Sequence, residues 1–200
     1  MNAIGDLFGQ PAIPGLSTTP GIISAAEETA LVARIDACDL TPFAFHQWTG
    51  KRLTTSFGTR YDFVTGRLDE TRPIPGWLEP LRTAAAGYAE LEPADLSQAL
   101  LIRYDPHAGI GWHRDRPIYG HVVGVSLGAE ATMRFRRRRP AGGFDRVGAA
   151  LAPRSIYHLT GEVRHDWEHS IAPMDRARWS ITFRSLSPSG RDALRRCEDA

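Results

Sequence analysis

The spacing of hydrophobic residues changes along the chain, from a helical period in the first half to an alternating, strand-like period in the second. A capping-box sequence at residues 24–27, followed by apolar residues at helical spacing, predicts a helix over residues 24–37. A second helix is predicted to begin at Pro75 and to end near Gly87, because proline is tolerated in a first helical turn. Each helix has one apolar face that must pack against a larger element.

From Gln98 onward the sequence consists of short β-rich runs separated by glycine and proline. The predicted strands are residues 99–104, 111–115, 121–127, 132–136, 147–151, 155–159, 167–171 and 179–185. About eight short strands without long helices between them indicate a sandwich or jelly roll, with the two helices packed on one sheet. We therefore expect an α+β, β-dominated fold in one domain over residues 1–200. Residues 1–21, rich in proline and glycine, are expected to form an irregular arm.

Hydrophobic content, net charge and cysteine spacing limit the kinds of protein that this sequence can encode. A hydrophobic content of 42% is enough to bury a core, and a formal net charge of +1 means that affinity for a polyanion must come from local patches. Cys38 and Cys197 have neither metal-site spacing nor the density of a disulfide framework, which indicates a reduced, cytoplasmic protein. The sequence lacks a long apolar run and signal-peptide features, so no membrane association is expected.

The sequence Gly-Trp-His113-Arg-Asp115-Arg contains a potential metal-binding pair. Alternate residues of a strand point to the same side, so both side chains can reach one ion, and His169 in another β-like segment offers a third donor. Two imidazoles and one carboxylate leave three octahedral positions open, the donor set of iron(II) oxygenases, whereas zinc more often has tetrahedral nitrogen and sulfur ligands. A His-x-Asp pair alone also arises by chance, so it needs support.

Residues 178–184 give that support. Strict alternation divides this segment between two faces of a strand. One face has the polar and charged residues Arg178, Ser180, Thr182 and Arg184, and the other has the apolar residues Trp179, Ile181 and Phe183. Guanidinium groups in a concave interior require anionic partners, and a dicarboxylate such as 2-oxoglutarate has two carboxylates to offer. The alternative is an edge strand whose charged face is solvated.

The order and spacing of these motifs resemble the AlkB family of Fe(II)/2-oxoglutarate-dependent dioxygenases. The resemblance rests on five segments, residues 101–104 (LIRY), 113–115 (HRD), 125–128 (VSLG), 164–169 (RHDWEH) and 178–184 (RWSITFR). It implies a double-stranded β-helix, a catalytic core over residues 98–187, and use of Fe(II), 2-oxoglutarate and O₂. The implied iron ligands are His113, Asp115 and His169, while His165 does not match the ligand position of the family pattern.

The same resemblance assigns the co-substrate contacts. Tyr104 and Arg178 would hold the distal carboxylate of 2-oxoglutarate, and Arg184 would pair with the carboxylate next to the keto group. Ser180 and Thr182 share this face and could add hydrogen bonds.

Two positions depart from the family pattern. Ile102 stands where many relatives have Asn, which removes one expected hydrogen bond to 2-oxoglutarate. Pro117 stands where base-repairing relatives have a second Asp, and it cannot make that side chain's hydrogen bond to a base amino group. We expect co-substrate affinity and lesion preference to be affected.

Residues 46–66 resemble the lid that covers the nucleobase in this family, because they mix cations with aromatic residues. The candidate substrate contacts are Trp48, Arg52, Phe57, Arg60 and Tyr61. Rings can stack on a flipped base while cations meet phosphates. The alternative is an ordinary hairpin with its rings in the core and its cations in solvent.

The densest positive cluster is residues 134–139, with the sequence RFRRRR. Such a cluster would neutralise phosphates and make binding fall steeply with salt, or it would be the solvated end of a hairpin.

The expected function is oxidative demethylation of N-alkylated nucleobases in DNA or RNA, with release of formaldehyde, succinate and CO₂. An oxygenase acting on a protein side chain and a non-catalytic jelly-roll binding domain are the alternatives, since a fold does not fix a function.

Overall fold

The computed structural model describes residues 13–45, 48–61 and 68–198. Its strands are β1 (Leu16–Thr19), β2 (Thr41–Phe45), β3 (Trp48–Tyr61), β4 (Leu68–Glu70), β5 (Gln98–Tyr104), β6 (Ile110–His113), β7 (Tyr119–Gly128), β8 (Ala131–Arg138), β9 (Phe144–Leu151), β10 (Ser155–Leu159), β11 (Glu168–Ile171) and β12 (Arg178–Leu186). Its α-helices are α1 (Ala25–Asp36), α2 (Glu79–Tyr88), α3 (Gly161–His165) and α4 (Pro188–Glu198), and short 3-10 turns lie at Gly76–Leu78 and Pro93–Asp95.

The strands form two antiparallel sheets. The major sheet has the order β1-β10-β7-β12-β5-β3-β2, with β4 paired to β3, and the minor sheet has the order β6-β11-β8-β9. Consecutive strands alternate between the two sheets through much of the second half of the chain, as in a double-stranded β-helix. The predicted β-dominated jelly roll is confirmed.

The first two helices cover the outer face of the major sheet. Ile35 of α1 and Leu81 of α2 belong to one buried cluster with Val125, Ile181 and Phe183 of the central strands. The predicted capping box begins α1, and the second predicted helix begins with the 3-10 turn before α2. Helices packed on one sheet are therefore confirmed.

The inner faces of the two sheets enclose a second buried cluster. Val122 of the major sheet packs there with Met133, Phe135 and Ile171 of the minor sheet. This cluster fills one part of the space between the sheets, and the rest of that space holds the cavity that contains the candidate active site.

Two local expectations need correction, and the predicted lid lies partly on a strand. Leu16 pairs with Leu159 across β1 and β10, so part of the predicted irregular arm is an edge strand, while residues 1–12 lie outside the described ranges. The strand predicted over residues 111–115 ends at His113, so Asp115 lies beyond it. Residues 48–61 of the predicted lid are a long strand paired with β5, and residues 46–47 and 62–66 lie outside the described ranges.

Each of the helices α1 to α4 is too short or too polar to cross a lipid bilayer, and none elsewhere in residues 13–45, 48–61 and 68–198 could do so.

Candidate active site

A cavity of about 1270 Å³ opens between the inner faces of the two sheets. Alternate residues of β12 line it, namely Arg178, Ser180, Thr182 and Arg184, whereas Ile181 and Phe183 point into the helix-covered core. This is the partition that the period of two predicts. The arginines are therefore inside the fold rather than on a solvated edge: Arg178 is 1% exposed and the Arg184 side chain 13%.

Strand pairing brings the two candidate metal-binding histidines together. His113 on β6 and His169 on β11 are register partners, and their ring centroids are 4.2 Å apart. His113 Nδ1 lies 2.8 Å from the Gly111 carbonyl oxygen, which leaves Nε2 available to a ligand. By contrast, His165 ends the short helix α3.

Asp115 completes the cluster from the turn that follows β6. Its Oδ2 lies 3.7 Å from His169 Nε2, and its Oδ1 accepts a hydrogen bond from Arg184 Nη2 at 2.7 Å. Two ligand atoms that are each about 2.1 Å from one cation lie at most about 4.2 Å apart, so the His169–Asp115 separation is compatible with a shared ion.

The donor chemistry suits a divalent metal ion. Burial opposes ionisation of Asp115, but neighbouring groups outweigh it, the Arg184 guanidinium most of all, and hold the pKa of this carboxyl well below its usual range. Burial and then the proximity of His113 lower the pKa of His169 to about 3, so its imidazole is neutral, as metal binding requires.

The side chains of His113, Asp115 and His169 lie close together, but they do not form a complete coordination sphere. Within the described part of the chain, no three His, Cys, Asp or Glu side chains are already placed as a complete ligand set, and one oxygen of Asp115 is committed to Arg184. Residues 113, 115 and 169 are nonetheless the place in the cavity where two imidazoles and a carboxylate meet, a set that could hold iron.

The two arginines of β12 carry buried polar atoms without partners in the described structure. Arg178 Nη1 and Nη2 and Arg184 Nε are buried and make no hydrogen bond. Arg178 Nε donates to Ser126 Oγ at 3.2 Å, and Arg184 Nη1 donates to Gln98 Oε1 at 2.9 Å. Buried, unpaired guanidinium donors are costly, so the cavity is suited to an anionic ligand such as a dicarboxylate. Tyr104 lies beside them, with the Arg178 guanidinium carbon 5.3 Å from its ring centroid.

Sequence reasoning missed Tyr157, which lines the cavity, is 6% exposed and lies beside Arg178 and Thr182. Its ring crosses Gly124 so closely that a Cβ at residue 124 would lie 2.0 Å from Tyr157 Cζ. A glycine inside a strand indicates such a close approach, and this was the signal available in the sequence.

Arg164 was missed as well. It is 3% exposed and donates to three backbone carbonyl oxygens, those of Asp115 at 3.1 Å, Tyr119 at 2.7 Å, and Arg116. Arg164 therefore holds the turn that carries Asp115. The sequence does not predict this structural role of Arg164, because all three acceptors are backbone atoms of a segment distant in sequence.

The candidate substrate residues divide into two groups. Arg52, Arg60 and Tyr61 line the cavity. Phe57 does not: it is 5% exposed in the helix-covered core, so its prediction as a base-contacting residue is wrong. Trp48 begins β3, but its side chain falls outside the described part of the structure.

Arg52 is the most buried of the cavity-lining candidates. It is 8% exposed, its guanidinium carbon lies 3.9 Å from the Phe43 ring centroid, and its Nε has no hydrogen-bond partner among the described residues. Burial lowers its pKa, and Arg184 acts in the same direction, whereas Tyr104 and Asp115 oppose the change. Arg52 thus adds a buried guanidinium group to the cavity on the substrate side, apart from those of Arg178 and Arg184.

Comparisons with known proteins agree with this geometry. A model of the 2OG-Fe(II) oxygenase superfamily matches residues 15–189. A curated relative from Macaca fascicularis, tRNA (carboxymethyluridine(34)-5-O)-methyltransferase ALKBH8, is 30% identical over 175 residues, which are 83% of this chain and 25% of that protein. The Alkylated DNA repair protein ALKBH8 homolog of Arabidopsis thaliana is 25% identical over 184 residues, covering 80% of this chain and 51% of that protein. The chain therefore spans between a quarter and about half of these relatives.

Solved structures show the same fold. The structure of OsALKBH1 aligns with a TM-score of 0.68 at 15% identity, over 88% of this chain and 99% of that one. A prolyl-4-hydroxylase from Pseudomonas putida aligns with a TM-score of 0.59 at 16% identity, over 86% and 93%. From the family match, the fold and the cavity together, the chain belongs to the 2OG-Fe(II) oxygenase superfamily and is an AlkB-like dioxygenase that requires Fe(II), 2-oxoglutarate and O₂.

Proposed function

We propose that this protein oxidises an alkyl group carried by a nucleobase in RNA or DNA, and that it removes N-methyl groups as formaldehyde. The observation that carries the proposal is the part of the cavity wall formed by β2 and β3, beyond β5 from β12 in the major sheet. There Arg52 lies over Phe43, and Arg60 and Tyr61 also line the cavity. Aromatic rings can stack on a base, and cations can meet its flanking phosphates.

The proposal assigns iron to His113, Asp115 and His169. When bound, Fe(II) uses O₂ and 2-oxoglutarate to hydroxylate a substrate C–H bond while the co-substrate becomes succinate and CO₂. An N-methyl group hydroxylated in this way is a hemiaminal, which releases formaldehyde and the demethylated base. The chain's task is to position the co-substrate and substrate and to exclude water.

The co-substrate is assigned to the two arginines of β12. Arg178 has two free donor nitrogens beside the Tyr104 ring and would take the distal carboxylate. Arg184, held by Gln98 and Asp115, would take the carboxylate next to the keto group. Ser180 and Thr182 lie between the two on the same strand face. Ile102 lines the cavity with an apolar side chain, so this wall offers no hydrogen bond from residue 102.

RNA is the first substrate to test. Curated relatives from macaque, mouse and frog carry tRNA in their names, and the plant relative is named for repair of alkylated DNA. The chain covers only about a quarter of the animal proteins, so the methyltransferase activity in their names is not transferred to it.

The test is a coupled measurement. The protein is incubated anaerobically with Fe(II), 2-oxoglutarate and N-methylated RNA or DNA oligonucleotides or methylated tRNA, O₂ is admitted, and formaldehyde and succinate are measured together. Equal amounts of both products are expected, with loss of both in His113→Ala and retention in His107→Ala, which changes a histidine whose side chain is 73% exposed.

Other outcomes have distinct meanings. Succinate coupled to an oxidised nucleobase without formaldehyde would replace demethylation by stable hydroxylation. Succinate formation that no nucleic acid stimulates would contradict the nucleobase proposal and favour a protein substrate. Absence of succinate under all conditions would contradict the iron assignment.

A further inference from the structure

The outer, solvent-facing side of the minor sheet carries a set of stacked arginine and aromatic side chains. We call it the arginine–aromatic face and define it by six residues, Trp112, Arg134, Arg136, Arg138, Phe144 and Arg146. It comes from alternation along β6, β8 and β9: the residues next to these in sequence, such as His113 and Phe135, point inward to the cavity or the core.

The guanidinium groups of this face lie against its two aromatic rings. The Arg136 guanidinium carbon is 4.5 Å from the centroid of the Trp112 ring and 4.7 Å from that of Phe144, so it bridges the two rings. Arg134 lies 5.3 Å from Trp112, while Arg138 and Arg146 lie 5.6 Å and 5.5 Å from Phe144. Stacking on rings orders long side chains that would otherwise be mobile in solvent.

Carboxylates do not neutralise most of these charges. Arg136 is paired with Glu168 at 2.6 Å, but Arg134 donates only to the Ser170 hydroxyl, and Arg138 and Arg146 have no acidic partner among the described residues. Four arginines against one glutamate leave a net charge of +3 on this face.

The other arginines of the run behave differently. Arg137 is paired with Glu162 at 2.8 Å, and Arg139 with Asp145 at 2.6 Å. Alternation thus divides the basic run over residues 134–139 into a neutralised side and an unneutralised one. A solvated hairpin end, the simpler interpretation of the sequence, does not account for this asymmetry.

Strand register adds an unfavourable contact on this face. Arg136 and Arg146 are directly opposite each other in the pairing of β8 with β9, and like charges in that position repel. A bound polyanion would relieve this repulsion, since it would supply negative charge where the sheet places two cations side by side.

The face begins at the rim of the active-site cavity. Trp112 lines the cavity and immediately precedes His113, and the face extends from there across four strands, a width of about 14 Å at about 4.8 Å per strand. A strand of nucleic acid that leaves the cavity on this side would therefore meet Arg134 and Arg136 first, and Arg138 and Arg146 next.

We propose that the arginine–aromatic face binds the sugar–phosphate backbone of the single strand that flanks the target base. This inference rests on the proposed action on nucleic acid and extends it to a second, sequence-independent contact outside the cavity. Planar guanidinium groups can pair with phosphates through two parallel hydrogen bonds, and the rings between them can stack on unpaired bases. A single strand is favoured over a protein partner because the face has charge and ring surfaces but few apolar side chains.

The test compares two double variants that remove the same charge. Arg138→Ser with Arg146→Ser removes the two unpaired cations of the face, and Arg195→Ser with Arg196→Ser removes two exposed cations from α4. Binding of short, fluorescently labelled single-stranded RNA, and of DNA with the same sequence, is measured between about 50 and 200 mM salt. Thermal unfolding shows whether both variants fold like the wild type.

The face variant is expected to bind about tenfold more weakly near physiological salt. The slope of log K against log salt should fall in magnitude by about 1.4, as expected for the loss of two phosphate contacts on a single strand. The α4 variant should bind like the wild type.

Two failures are distinguishable. If the wild type binds the strands and both double variants lose the same affinity, only net charge matters and the face is not the contact. If the wild type binds neither RNA nor DNA and neither stimulates succinate formation, the proposed function fails and the face proposal fails with it.

Discussion

Arg184 and Asp115 form a buried ion pair, with Nη2 and Oδ1 2.7 Å apart and side-chain exposures of 13% and 8%. The same guanidinium also has a buried Nε without a partner in the described structure. One arginine therefore both orients the carboxylate proposed as an iron ligand and faces the space proposed for 2-oxoglutarate. Metal binding and co-substrate binding should be coupled through it.

Arg184→Lys is expected to weaken metal and co-substrate binding together, because lysine cannot replace the forked contacts to Asp115 and Gln98. Arg178→Lys is the matched variant, since it changes the other arginine of β12, which has no contact with Asp115. We expect Arg184→Lys to weaken Mn(II) affinity about 10- to 100-fold and to raise the KM for 2-oxoglutarate, and Arg178→Lys to raise only that KM. Equal Mn(II) affinity in the two variants, by calorimetry, would contradict the coupling.

Arg164→Met should loosen the turn that carries Asp115, because three backbone carbonyl oxygens lose their donor. Mn(II) affinity is expected to fall about tenfold or more, together with a loss of about 1–3 kcal/mol in the free energy of unfolding. Arg82→Met is the control: Arg82 also donates to a backbone carbonyl, that of Leu96, but far from the cavity. Similar Mn(II) affinities in both variants would show that Arg164 only stabilises the fold.

Gly124→Ala introduces a Cβ about 2.0 Å from the ring of Tyr157, a contact that requires the ring or the strand to move. The expected cost is about 1–3 kcal/mol in unfolding free energy, measured with urea. Gly87→Ala is the control, because a Cβ there meets nothing within 4 Å and alanine favours the helix. The cost of Gly124→Ala should shrink in a Tyr157→Leu background, and an unchanged cost would locate the strain elsewhere.

Arg52→Met tests the substrate side of the cavity. It removes the buried guanidinium over Phe43 while keeping much of the side chain's length and apolar surface. The KM for the nucleic acid substrate is expected to rise about tenfold or more, with the KM for 2-oxoglutarate unchanged. Arg34→Met, on the last turn of α1, should change neither constant. A rise in the 2-oxoglutarate KM alone would reassign Arg52 to the co-substrate.

Stability should fall in acid partly because of His158. Burial, and then the adjacent His121 with ring nitrogens 2.9 Å apart, lower the pKa of His158 to about 4, from about 6.5 in an unfolded chain. As pH falls from about 6.5 to 4, the unfolded chain takes up a proton that folded His158 does not, so the folded state loses stability across that window.

The measurement for this prediction is urea unfolding at pH 7 and pH 5. From pH 7 to pH 5, the free energy of unfolding of the metal-free wild type should decrease. The decrease should be about 1–2 kcal/mol smaller for His158→Gln. His107→Gln, at an exposed histidine, should follow the wild type. Identical losses in all three proteins would show that His158 does not contribute.

Local sequence pattern determined the elements and the faces of this protein. The capping box set the start of α1, and the period of two along β12 placed Arg178 and Arg184 on the inner face, because the pleat of a strand sends alternate side chains to opposite sides wherever the strand lies. The order of motifs predicted the family and the fold, which the comparisons confirmed.

Only the tertiary structure decided which partner each side chain meets. Alternation along β3 puts Arg52 and Phe57 on opposite faces, but only the pairing of β3 with β5 decided that Phe57 faces the core and Arg52 the cavity. Asp115 lies past the end of its strand and is held by Arg164 and Arg184 from distant parts of the chain. Alternation is a property of one strand, whereas pairing, register and the capture of backbone carbonyls depend on how separate segments meet in space.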